Sequence, residues 1–159
     1  MDKIIKQFTH LTFAPGQDFM WSPREQMVYY DPDRVDSNPG QLALLHEIGH
    51  AELRHNHIRS DMHLVGMEVD AWSFARQYAP EFAVAIDDEH IDACLESYRI
   101  WAYKRAVCPN CQFHGIQTQR RRYYCFTCRH TWRVSTNLTL QPHRRQCQDA
   151  AFLQTAKQP

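Results

Sequence analysis

The segment around residue 47 constrains the fold most, because it reads His46-Glu47-Ile48-Gly49-His50, an HExxH motif. Two histidines four residues apart lie on one face of a helix, so both imidazoles can reach the same Zn²⁺. Glu47 then projects beside the metal, where a water would bind. Apolar residues at helical spacing predict that this helix is buried: Leu42, Leu45, Ile48, Gly49 and Leu53. The alternative is a pair of histidines at the edge of a core beside a solvated glutamate.

The sequence around the motif predicts a mixed α+β domain. Asn38-Pro39-Gly40-Gln41 is typical of a helix start, with Asn38 as N-cap, a proline at N1 and a capping-box glutamine. Hydrophobic periodicity predicts helices at about 39–56, 64–79 and 87–105. Alternating residues predict strands at 17–22 and 26–31, and residues 1–10 form an amphipathic segment.

A zinc site of this kind needs a third protein ligand and leaves a fourth position for water. Glu68 is the first choice, because it shares a helical face with three residues that would pack on the motif helix, Ala71, Trp72 and Ala75. Asp70 lies about 200° further round an ideal helix and is the fallback. His63 is a rival, since a histidine after a helix and loop also completes a tetrahedral site. His55 and His57 are predicted to form the solvated C-terminal turn of the motif helix.

These two segments resemble a known family. His46-Glu47-Ile48-Gly49-His50-Ala51, followed by Glu68-x-x-Ala71-x-x-Phe74-Ala75, is similar to the signatures of the ImmA/IrrE group of bacterial and phage zinc metallopeptidases, over roughly residues 20–80. The resemblance implies a zincin-like metallopeptidase domain, with zinc bound by His46, His50 and Glu68 and with Glu47 as general base. It also implies a regulatory substrate such as a transcriptional repressor. Trp72 stands where the family usually has Asn or Asp. The departure affects a residue that would support the zinc ligands and leaves the ligands themselves unchanged.

Two parts of such a site stay open at this point. A group that stabilises the oxyanion is expected, and Tyr98, His63 and Tyr30 are candidates. Residues 27–30 precede the motif helix, where such peptidases place the edge strand that pairs with an extended substrate. Ordinary sheet packing explains the same residues equally well.

A second metal site is predicted near the C-terminus. Cys108-Pro109-Asn110-Cys111 and Cys125-Phe126-Thr127-Cys128 are paired CxxC motifs separated by thirteen residues. Each CxxC turn presents two thiolates, so Cys108, Cys111, Cys125 and Cys128 predict a structural zinc ribbon with no open position. Short strands are expected at 113–118, 122–125 and 131–134. With the HExxH site, the chain would bind two zinc ions.

The cysteines could also have roles other than binding zinc in a ribbon. Two disulfides in a secreted domain are an alternative, but the sequence has no signal peptide and keeps two further cysteines. Cys94 is interpreted as a buried thiol and Cys147 as a thiol of the tail. His114 and His130 lie near the knuckles, but four cysteines need no substitute.

Charge is divided along the chain, although the formal net charge is zero. Residues 1–100 hold 8 Lys/Arg and 17 Asp/Glu, whereas residues 101–148 hold 9 Lys/Arg and no acid. The basic half interleaves arginine with aromatic residues, as in nucleic-acid-binding proteins. The candidates for DNA or RNA contact are Arg120, Arg121, Arg122, Tyr124, Arg129 and Trp132. The equally weighted alternative is a basic module that docks on the acidic domain, with aromatic residues as its core.

The predicted organisation is a peptidase domain at 1–105, a zinc ribbon at 106–136 and a polar tail at 137–159. The chain has no run of eighteen apolar residues, which predicts no membrane span, and its cysteines suit a cytoplasmic protein. Two other functions stay open. One is a DNA-associated protease of the SprT/Spartan type, which uses a third histidine. The other is a non-catalytic regulator that binds nucleic acid or protein, against which the intact Glu47 argues.

Overall fold

The structure is a computed structural model, which describes residues 1–135 and the backbone of residues 144–146. It divides into two compact units, Met1–Tyr98 and Arg99–Pro159. Helices and small sheets occur together, so the predicted α+β class is confirmed. Within the described part of the chain, no helix has both the length and the apolar character required to cross a bilayer.

The first unit places a small sheet beside helices. Its elements are α1 (Asp2–Gln7), β1 (Thr12–Pro15), β2 (Met20–Ser22), β3 (Met27–Tyr30), α2 (Asn38–Glu52), α3 (Asp61–Tyr78), a 3₁₀ turn (Ala79–Phe82) and the start of α4 (Asp88–Ala106). The sheet order is β1-β3-β2, with β1 parallel and β2 antiparallel to β3. Met27–Tyr30 is therefore the central strand, which contradicts the interpretation as a substrate-binding edge and agrees with the alternative of ordinary sheet packing. The edge strands are β1, which the sequence patterns missed, and β2.

The start of α2 differs from the prediction. Its N-cap is Ser37, whose hydroxyl accepts a hydrogen bond from the Gly40 N–H at 3.1 Å. The Asn38 side chain instead bonds the backbone of Ala85, accepting from its N–H at 2.7 Å and donating to its carbonyl at 2.9 Å. The helix ends at Glu52 rather than near residue 56, because Arg54 takes a left-handed conformation with φ of 55°. The loop after α2 thereby turns back toward the motif.

Helices α2 and α3 approach each other closely at Gly49. A Cβ at this position would lie 3.0 Å from the Ala71 carbonyl oxygen and 3.1 Å from the Phe74 Cβ, tighter than van der Waals contact. Ala71 and Ala75 on the facing helix are fully buried. Small side chains on both helices thus let the HExxH helix and the helix of Glu68 lie side by side. The α3 helix begins at Asp61, three residues before the predicted start, because Ser60 caps it.

The second unit contains a four-stranded antiparallel sheet. Its strands are β4 (Ile116–Gln119), β5 (Arg122–Tyr124), β6 (Thr131–Val134) and β7 (Arg144–Gln146), in that order. The strand β7 belongs to this sheet, although the sequence assigned it to the tail. The division between units falls after Tyr98 rather than at Ala106, so the last turns of α4 belong to the second unit. The rest of the predicted tail, including Cys147, lies outside the described residues.

Candidate metal centres

His46, His50 and Glu68 form a buried group around a single point. The two Nε2 atoms are 3.1 Å apart, and Glu68 oxygens lie 3.3 Å from His46 Nε2 and 3.6 Å from His50 Nε2. Tetrahedral ligands at Zn–N and Zn–O distances of about 2.1 Å are separated by about 3.4 Å. The spacing of the two Nε2 atoms and the Glu68 carboxylate therefore fits one zinc ion, and the α2–α3 contact at Gly49 positions them.

The two rival ligands lie elsewhere. Asp70 is exposed on α3, as its position on the helix predicts. His63 is also exposed, in the first turn of α3, and its Nδ1 accepts a hydrogen bond from the Arg59 N–H at 3.3 Å. Among the described residues, only His46, His50 and Glu68 group around this point.

Glu47 is held beside this group by the edge strand β2. Its Oε2 accepts a hydrogen bond from the Trp21 backbone N–H at 2.6 Å. Because one carboxylate oxygen is engaged, the other can face a water near the ligands. No local sequence pattern indicates this contact, since Trp21 and Glu47 are 26 residues apart.

The two histidines are supported in different ways. The Nδ1 of His50 lies 2.8 Å from the Nδ1 of His55. Burial and the neighbouring His50 lower the pKa of His55, so the Nδ1 of its neutral ring can accept a hydrogen bond from the His50 Nδ1–H. His46 instead packs against Trp72, with the rings tilted by 32° at a centroid distance of 4.1 Å, and its Nδ1 has no hydrogen-bond partner in the described part of the chain. His55, predicted as a solvated turn residue, is partly buried and lies where it can fix the ring of His50.

Removing this support should weaken metal binding without removing a ligand. We expect His55→Ala to lower zinc affinity about 10- to 100-fold, because His50 loses the partner that fixes its ring and tautomer. Competition with a chromophoric chelator measures this. His57→Ala, two residues further and exposed, is the matched control and should bind zinc like the wild type. Equal affinities for both variants would remove the positioning role.

Glu68 and Tyr98 are coupled electrostatically. Burial raises the pKa of Glu68, but hydrogen bonds from His46 and His50 outweigh it and bring the pKa to about 2. Burial also raises the pKa of Tyr98, and the nearby charges of Glu68 and Glu47 and a hydrogen bond to Glu68 raise it further. The Tyr98 hydroxyl therefore keeps its proton, which it donates to the Glu68 carboxylate. Of the three predicted oxyanion candidates, His63 is exposed and Tyr30 packs against the core, whereas Tyr98 lies at the site.

The four cysteines of the second unit form the other group. The Sγ atoms of Cys108 and Cys128 are 3.6 Å apart, and those of Cys111 and Cys125 are 3.5 Å apart. Tetrahedral thiolates at a Zn–S distance of about 2.3 Å are separated by about 3.8 Å. All four sulfurs lie within 4.8 Å of one another, so this group can hold a metal ion.

The two CxxC turns have the same backbone geometry. The residue after each pair, Gln112 or Arg129, is left-handed with φ of 64° or 61°. Its N–H bonds the carbonyl of the first cysteine, at 3.0 Å to Cys108 and 2.8 Å to Cys125. In this repeated turn, backbone N–H groups point at the cysteine sulfurs. The Asn110 side chain and the backbone N–H of His130 lower the pKa of Cys128 to about 6, which favours the thiolate that binds zinc.

The predicted nucleic-acid residues have different environments. Trp132 is fully buried in the ribbon core and donates from Nε1 to the Arg105 carbonyl at 3.0 Å, so it cannot stack on bases, and that prediction was wrong. The Arg121 guanidinium donates to the Val134 carbonyl at 3.0 Å. Four others lie at or partly at the surface: Arg120, Arg122, Tyr124 and Arg129. Phe126, 68% exposed, was not among the candidates.

Comparison of the chain with family models, curated proteins and solved structures finds no match. The observations that bear on function are therefore these two groups of residues.

Proposed function

We propose that this chain is a zinc-dependent metallopeptidase with a zincin-like fold and a structural zinc ribbon. The observation that supports it best is that Glu47 lies beside a buried His46–His50–Glu68 group whose spacing suits zinc. The resemblance to ImmA/IrrE peptidases uses the same four residues. It suggests a regulatory protein, such as a transcriptional repressor, as the substrate.

Zinc bound by His46, His50 and Glu68 would lower the pKa of a water and polarise the scissile carbonyl. Glu47 takes the proton from that water and later delivers it to the leaving amine. The Trp21 N–H orients the Glu47 carboxylate for this exchange. The Tyr98 hydroxyl, which bonds Glu68 in the structure, would turn its proton from that carboxylate to the oxyanion as the carbonyl becomes tetrahedral.

The edge strand β2 is the natural place for an extended substrate. It carries Trp21 beside Glu47 and pairs with β3 on one side only. The Trp21 N–H is engaged by Glu47, so a peptide on the other side of β2 would pair through the remaining main-chain groups of this edge and reach the site by strand addition. We therefore assign to β2 the role that the sequence suggested for Met27–Tyr30.

The alternative DNA-associated protease of the SprT/Spartan type is less consistent with the ligands. That class uses a third histidine, whereas His63 is exposed and bonded to Arg59. Glu68 is the third member of the group here.

A peptide mixture tests the proposal without knowledge of the substrate. Zinc-loaded full-length protein should cleave a subset of a diverse synthetic peptide mixture, as followed by mass spectrometry. Cleavage should stop when the metal is chelated and return when zinc is added, because the water loses its activating metal. Cleavage that survives chelation, or no cleavage by the zinc-loaded protein, would contradict the proposal.

A further inference from the structure

One face of the ribbon sheet combines basic and aromatic side chains. Alternation along the strands buries Tyr123, Trp132 and Val134 on the other face. The opposite face carries exposed or partly exposed residues of β4, β5 and β6 at paired positions: Ile116, Arg122, Tyr124, Thr131 and Arg133. This set, together with Phe126, is called the outer face below.

The outer face places like charges opposite each other. Arg122 on β5 is the register partner of Arg133 on β6. The β6–β7 register places position 145, also an arginine, opposite Arg133. Like charges directly across a strand pair repel each other, and a polyanion bound along this face would reduce that repulsion. The register therefore gives the outer face a row of positive charge that suits phosphate groups.

Aromatic rings lie next to the arginine row. Tyr124 is the register partner of Ile116 on the neighbouring strand. The Phe126 ring meets Tyr124 edge to face at a centroid distance of 5.2 Å and remains largely exposed. An exposed aromatic ring beside cations is the arrangement on which unpaired bases stack while their phosphates meet arginine.

We propose that the outer face of the ribbon binds single-stranded nucleic acid, with phosphates at Arg122 and Arg133 and a base on Phe126 and Tyr124. Duplex bases are paired and stacked, so they cannot reach these rings, and a duplex should bind more weakly. The chemistry is shared by DNA and RNA. This inference is independent of peptidase activity.

Binding of the full-length, zinc-loaded chain to fluorescent oligonucleotides of about 15 nucleotides tests the proposal. Single-stranded DNA, single-stranded RNA and duplex DNA are compared by anisotropy between about 50 and 200 mM salt. We expect Arg122→Gln/Arg133→Gln to weaken single-strand binding and to flatten its dependence on log salt by about 1.4, since each lost phosphate contact contributes about 0.7. Arg24→Gln/Arg59→Gln makes the same charge change in the first unit and should leave affinity and slope unchanged.

Stacking is tested separately. We expect Phe126→Ala to weaken binding about 5- to 150-fold with the salt slope preserved, whereas Phe126→Tyr keeps the affinity. Zinc content and circular dichroism check the fold of each variant. If the double variant loses its metal, Phe126→Ala alone tests the proposal, because this exposed ring is not a ligand. The proposal is overturned by absence of binding at low salt, by tighter binding of the duplex, by equal effects of both double variants, or by wild-type affinity of folded Phe126→Ala. Absence of binding would favour arginines that dock on the acidic part of the chain.

Discussion

Replacing Glu47 with glutamine should abolish peptide hydrolysis while zinc stays bound. Glutamine keeps a carbonyl oxygen that can accept the Trp21 N–H, so the strand contact and the fold persist. It cannot take a proton from water, and loss of a general base lowers the rate by about 10²- to 10⁴-fold. Turnover of a cleaved peptide and zinc content, measured on the same sample, test both halves of the expectation.

The matched control is Glu81→Gln, which makes the same chemical change at an exposed position in the 3₁₀ turn. It should retain wild-type turnover. Residual activity near wild type in Glu47→Gln would remove Glu47 as the base. Loss of zinc together with activity would instead make it a ligand or a fold determinant.

The two zinc ions should be lost independently of each other when their ligands are replaced. We expect two zinc ions per wild-type chain, one at His46–His50–Glu68 and one at the four cysteines. Cys125→Ser should lose one ion and unfold the ribbon, because metal binding supplies about 10–16 kcal/mol of folding free energy in comparable small zinc domains. Glu68→Ala should lose the other ion. Elemental analysis and helical circular dichroism provide the measurements.

Two comparisons make this partition decisive. Asp70→Ala should keep both ions, because Asp70 is exposed and outside the ligand group. Cys125→Ser should keep most helical signal, because α2 and α3 lie in the other unit. A single ion in folded, unchelated wild-type protein would contradict the two-site model, and loss of metal in Asp70→Ala but not Glu68→Ala would reassign the third ligand.

The ligand groups could be predicted because their spacing is local. Residues four apart share a helix face, and two residues in a CxxC turn reach one metal, so His46, His50 and the cysteine pairs follow from sequence alone. Glu68 is predicted as the third ligand from its helical face and from the resemblance to a family motif. The structure places it 3.3 Å from His46 Nε2.

Errors arose where several local signals competed. Ser37 and Asn38 are both good N-caps, and the contact of Asn38 with Ala85, 47 residues away, decided between them. Trp132 carries the surface chemistry of a base-stacking residue, but register with Tyr123 places it in the ribbon core. Strand β1 has only four residues, and its parallel partner β3 lies beyond β2, so no local pattern revealed the pairing.

The sequence by itself determined which residues can bind metal and that helices carry one set and knuckles the other, since these depend on residue type and short-range periodicity. Only tertiary structure decided how the sites are supported. The close approach at Gly49 brings Glu68 to the histidines, the edge strand β2 holds Glu47, and a chain reversal after α2 brings His55 to His50. These contacts depend on packing between segments distant in sequence or joined by an irregular turn, which local periodicity does not encode.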